Sequence, residues 1–122
     1  MKKLSNAQAK VIEQAKKDID YARTHDFIHW ISKSHGYDLD ENWDEYPNPY
    51  LTNESVLEKA NELVKTSSEW WKKTYENTKN GFVRTSCNSR TLAKLAEYGL
   101  IEIISDSKGH VYGIDEVKVL NY

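Results

Sequence analysis

Two histidines, His25 and His29, stand four residues apart, a spacing that on a continuous helix sets two imidazoles on one face, as in a zinc site. A third ligand is not evident unless His35 folds back, so no metal and no cofactor is expected. Cys87, the lone cysteine, would be a nucleophile only with a histidine beside it, and is read as a small residue buried at a helix start. The chain has no glycine-rich phosphate loop, no nucleophile elbow and no hydrolase pairing of histidine with carboxylate, so catalysis is not expected. Two other groups of side chains suit recognition. One is polar and partly cationic, comprising Asn88, Ser89, Arg90, Thr91 and Lys94, with Arg84 and Lys108 on either side in sequence. The other is the stretch YDLDENWDEYPNPY, where Asp38, Asp40, Glu41, Asp44 and Glu45 put five carboxylates into eight residues around Trp43.

Charge is divided along the chain. Residues 1–35 carry 7 Lys and Arg against 4 Asp and Glu, residues 36–80 carry 5 against 10, and residues 81–122 carry 5 against 5. Domains that hold nucleic acid mainly through phosphates are clearly basic, so this balance argues against strong nonspecific DNA binding while leaving room for a local basic face. At 122 residues the chain fits a single domain, residues 1–122. No apolar run approaches the ~20 residues that span a bilayer, MKKLSNAQAK lacks the apolar stretch of a signal peptide, and a lone cysteine suits a reducing compartment; a cytoplasmic protein without membrane contact is expected.

Helical periodicity supplies most of the scaffold. A helix over about residues 5–23 is predicted by the capping box of Ser5 and Gln8 and by the apolar stripe Ala7, Val11, Ile12, Ala15, Ile19 and Ala22. A break at Thr24, His25 and Asp26 precedes a short helix over about 26–35, with Phe27, Ile28, Trp30 and Ile31 as its apolar positions. Pro47 and Pro49 make the acidic stretch an extended connection whose Trp43, Tyr46 and Tyr50 dock onto the core. Asn53 opens the longest helical pattern, about 53–79, which at 1.5 Å per residue would extend nearly 40 Å and must either kink near residues 66–68 or protrude. Trp70 and Trp71 lie about 100° apart around such a helix, so both cannot face one core, and one either is available to a partner subunit or caps the core's edge.

The last third reads as a helix over about 87–98 with a Leu92, Leu95 and Ala96 stripe, closed by Gly99, then strands over about 100–105 and 110–120 around the polar turn at 105–109. This order, and the phrase LAKLAEYGLIEII, resemble the reading helix and wing of a winged-helix DNA-binding domain. The chain departs from that pattern in having only GFVRTSC where a separate helix normally precedes the reading helix. The two ends, LSNAQAKVIEQAKKDIDYAR and TSCNSRTL...YGLIEII, are also similar to small proteins of Gram-positive bacteria and their phages, a likeness that carries no assigned activity. The expected fold is mainly α (α+β), a helical N-terminal two-thirds packed with a C-terminal winged-helix-like helix and β-hairpin.

The winged-helix resemblance implies double-stranded DNA as partner, with Arg90 bidentate to guanine, Asn88 to adenine, Lys94 and Lys108 on phosphates, and Ser89, Thr91 and Arg84 contributing polar contacts. The expected role is a regulator of phage or prophage type, acting as a homodimer through the long helix. The alternative is a protein-binding effector that inhibits a host nucleic-acid enzyme through Asp38, Asp40, Glu41, Trp43, Asp44 and Glu45.

Overall fold

A computed structural model describes residues 3–45, 50–85, 89–105 and 115–122. The protein is mainly helical with a small antiparallel sheet. In chain order the elements are α1 (Asn6–Thr24), α2 (Phe27–Ser34), a 3-10 turn (Trp43–Glu45), α3 (Asn53–Thr66), α4 (Glu69–Lys79), β1 (Phe82–Thr85), α5 (Ser89–Glu97), β2 (Ile101–Ser105) and β3 (Asp115–Val119). They form two compact units, one of residues 1–20 with 77–122 and one of residues 21–76.

The first unit is organised by its sheet, in the order β1-β3-β2. Val83 pairs with Val117 across β1 and β3, Ile101 with Val119 and Ile103 with Val117 across β2 and β3, so the β-branched side chains of three strands share one face. That face meets Ile12, Ala15 and Ile19 of α1 and Leu92 and Leu95 of α5 in one apolar cluster, with Ile19, Leu95 and Val117 wholly buried. The other face alternates in charge, with Arg84 opposite Glu116 and Lys118 opposite Glu102.

Local chemistry accounts for the ends of these elements. The capping box at α1 forms as the spacing predicts, the Ser5 amide donating to Gln8 Oε1 (2.9 Å) and the Gln8 amide to Ser5 Oγ (3.2 Å). Gly99, at φ +74°, closes α5 while the Leu100 amide donates back to the Leu95 carbonyl at 3.1 Å. Gly81 is more constrained. Its φ is +97°, a Cβ there would sit 3.4 Å from the Val119 carbonyl oxygen, and its own carbonyl accepts from the Val119 amide at 2.9 Å. It turns the chain out of α4 directly into β1, a strand that the sequence does not announce because FVRT is too short to show a period.

The second unit packs α2 against α3, with Ala22, Ile31, Ser32, Val56, Ala60 and Tyr75 buried. The long helical pattern is broken rather than protruding. Ser67 is extended (φ −65°, ψ 135°) and its Oγ donates to the Val64 carbonyl at 2.9 Å, the carbonyl that a continuing helix would offer to Ser68, while Thr66 Oγ1 donates back to the Glu62 carbonyl at 2.9 Å. Phe27, Trp30, Trp71 and Tyr75 then meet through ring contacts of 5.4 to 6.1 Å between centroids. Trp71 is half-buried, also contacting His35 (4.8 Å), whereas Trp70 remains 50% exposed.

Candidate functional site

The α5 helix separates into two stripes because 3.6 residues make a turn. Leu92 and Leu95 anchor it to the sheet, and Arg90, Ala93, Lys94 and Glu97 form the solvent stripe at i, i+3, i+4 and i+7. Ala93 is the one residue of this stripe without a long side chain. Lys94 Nζ is 3.3 Å from Glu97 Oε2, an exposed ion pair within the stripe. Thr91 is half-buried beside it. Of the remaining expected DNA contacts, Ser89 begins α5, while Asn88 and Lys108 lie outside the described residues, as do Cys87 and most of the turn at 105–109. Arg84 is not on the α5 stripe. It is exposed on edge strand β1 and lines, with Lys10, Gln14 and Asp18 of α1, a shallow groove of about 250 Å³. Residues 86–88, between β1 and α5, lie outside the described residues.

In the second unit the acidic stretch is a braced loop. Asn53, the first residue of α3, is the brace: its Oδ1 accepts from the Trp43 amide at 2.7 Å, and its Nδ2 donates to Asn42 Oδ1 at 2.9 Å and to Asp44 Oδ2 at 3.0 Å. Trp43 Nε1 donates to the Asp38 carbonyl at 2.8 Å, and Asp38 Oδ1 accepts from the Asp40 amide at 2.9 Å. The five carboxylates therefore have different tasks. Asp38 and Asp44 hold the loop, Asp40 meets His25 Nε2 at 3.2 Å, and Glu41 and Glu45 are exposed. Tyr46, Pro47 and Pro49 lie outside the described residues, and Tyr50 is exposed, not docked.

Behind Asp40 the His25 ring stacks on Tyr21, 3.9 Å between centroids, and its Nδ1 lies 3.1 Å from the Tyr21 carbonyl oxygen. Burial, with the charges of Asp38, Asp40 and Asp26 adding to it, pushes the Tyr21 phenol up to about 12. The Asp26 carboxyl, which caps α2, is held below its ordinary value by the hydrogen bond from His29 Nδ1 at 2.5 Å. His25 and His29 thus face carboxylates, with rings 5.7 Å apart, and among the described residues no three His, Cys, Asp or Glu side chains are placed to hold a metal.

The braced loop, α2 and α3 enclose a cleft of about 410 Å³. Ile28, Leu39 and Val56 supply apolar lining, Asp40 and Glu41 line it with carboxylates, and Leu57, 50% exposed, is also part of its wall. Periodicity places Asn53 only at a helix start, because the groups it braces, Trp43, Asn42 and Asp44, lie 9 to 11 residues away in sequence.

The chain matches no protein-family model, no curated protein and no solved structure.

The charge of each unit, however, follows from its residues: 11 Lys and Arg against 8 Asp and Glu, a net +3, for residues 1–20 with 77–122, and 6 against 11, a net −5, for residues 21–76. Among the described residues no helix is long and apolar enough to cross a membrane.

Proposed function

We propose that the protein is a regulator of phage or prophage type whose first unit binds double-stranded DNA in winged-helix manner, with α5 entering the major groove. The observation that carries this reading is the solvent stripe of α5, where Arg90 and Lys94 are exposed on a helix held to the sheet by Leu92 and Leu95. Arg90 pairs with guanine and Lys94 meets a phosphate, while Thr91 and Ser89 make polar contacts at the start of the helix. A net +3 on this unit supports the same direction, as does the antiparallel pairing of β2 with β3 directly after α5. The half-exposed Trp70 supports a homodimer. Fluorescence anisotropy with a labelled duplex from the gene's own upstream region tests the reading: the wild type binds, and Arg90→Ala loses sequence preference worth about 1 to 3 kcal/mol at one base pair.

A second reading is favoured by the brace at Asn53. An acidic loop fixed by its own hydrogen bonds, on a unit of net −5, suits docking to a basic protein, and in this reading the protein is an effector that inhibits a host nucleic-acid enzyme.

A further inference from the structure

The cleft of the second unit has a chemistry narrower than acidity. It combines aliphatic lining from Ile28, Leu39, Val56 and Leu57 with two carboxylates, Asp40 and Glu41, and its wall is completed by Trp43, Asn42, Asn53 and His29, whose ring is engaged by Asp26. No Lys or Arg lines it, and the Glu41 side chain meets no cation among the described residues. Its volume, about 410 Å³, falls within the roughly 300–1,000 Å³ usual for binding pockets, enough for one long side chain and its flanks. Its loop wall is formed in advance, since Asn53 holds Asn42, Trp43 and Asp44, and Trp43 holds Asp38. A ligand that enters therefore orders little of the protein.

We propose that this cleft takes an arginine side chain from a basic segment of a partner protein, its stem on the apolar lining and its guanidinium against Asp40 and Glu41. This rests on the docking reading above and specifies its ligand. Charge complementarity selects a cation, for the unit carries a net −5. The mixed lining selects arginine over lysine. A guanidinium is planar and weakly hydrated, presents five donors that can serve two carboxylates at once, and stacks on an indole, whereas an ammonium keeps its water and acts as a point charge. The three methylenes before it cover aliphatic surface that a free small cation would leave wet.

The test uses the full ¹⁵N-labelled chain and three capped peptides of sequence Gly-Leu-Xaa-Leu-Gly, with arginine, lysine or the neutral arginine isostere citrulline at the centre. The arginine peptide is expected to shift the amides of Asp40, Glu41, Asn42 and Leu57 and the Trp43 indole, with citrulline weakening binding at least about tenfold and lysine weakening it by a smaller factor. Glu41→Gln, which removes a charge and no internal bond, should weaken the arginine peptide several-fold without disturbing the spectrum of the free protein, and Asp40→Asn, which also alters the contact with His25, should weaken it with changes in the free spectrum confined to the surroundings of His25. Equal binding of the arginine and citrulline peptides, or arginine binding undiminished in Glu41→Gln, overturns the proposal. An oligolysine that moves the same signals as strongly as the arginine peptide overturns arginine selection while leaving the docking reading standing. If no cationic probe moves signals of residues 38–45, both fall.

Discussion

Asn53 grips Asp44 twice: its backbone amide donates to Asp44 Oδ1 at 3.0 Å and its side-chain Nδ2 donates to Oδ2 at the same distance. One carboxylate thereby serves the start of α3 and closes the acidic loop onto it. Replacing Asn53 by Ala removes the side-chain bonds to Asn42, Trp43 and Asp44 and leaves the capping box of Thr52 and Ser55 in place. A loss of about 1 to 3 kcal/mol is expected in denaturant melts, because several of the freed groups are exposed and regain water. Faster hydrogen exchange at the Trp43 amide should accompany it. Unchanged exchange there would mean that the loop does not depend on the brace.

Leu95 and Leu57 separate core from surface. Leu95 is wholly buried and Leu57 is 50% exposed. Leu95→Ala should cost about 2 to 5 kcal/mol, since a cavity adds to the lost transfer energy, and Leu57→Ala about 1 kcal/mol or less. Equal losses would contradict the placement of the two residues.

Much of this was legible in the sequence, and the reason is distance along the chain. The α5 stripe, the Gly99 terminus and the Ser5–Gln8 box are each satisfied within a few residues, so spacing alone identifies them. The break at Ser67 was legible as a choice between a kink and a protruding helix. What spacing does not carry is pairing between remote segments: β1 exists because Val83 finds Val117, the loop is rigid because Asn53 finds Trp43, and His25 is occupied because it finds Asp40. The division of five carboxylates into braces, an ion-pair partner and exposed charges follows from the same remote contacts.

Alkaline stability should report on Tyr21. Burial pushes its phenol up to about 12 from an ordinary value of 10.0, so the neutral form is favoured by folding. The corresponding stabilisation is complete below 10.0 and disappears as pH rises toward about 12, because the unfolded chain ionises first. Tyr21→Phe should flatten the pH dependence of thermal melting in that window. A slope equal to the wild type's would show that Tyr21 is not the titrating group.

In the proposed homodimer, assembly depends on Trp70. With half its surface exposed next to a half-buried Trp71, it offers an aromatic anchor for a second copy. Sedimentation at micromolar concentration should give a dimer for the wild type and a 14.2 kDa monomer for Trp70→Ala. A wild-type monomer would remove the homodimer, and with it a palindromic operator.

The most direct test of DNA binding is its salt dependence, measured on random duplex and on the gene's upstream region. The proposed reading assigns four cations to DNA, Arg84, Arg90, Lys94 and Lys108, with Arg90 on a base. Each phosphate contact releases condensed counterions, so log K should fall against log salt with a slope of roughly −3 per subunit or shallower, and Lys94→Ala should make the slope shallower by about 1 for all sequences alike. Binding to neither duplex at low salt, or a slope unmoved by Lys94→Ala and a sequence preference unmoved by Arg90→Ala, would contradict the assignment of α5 to DNA.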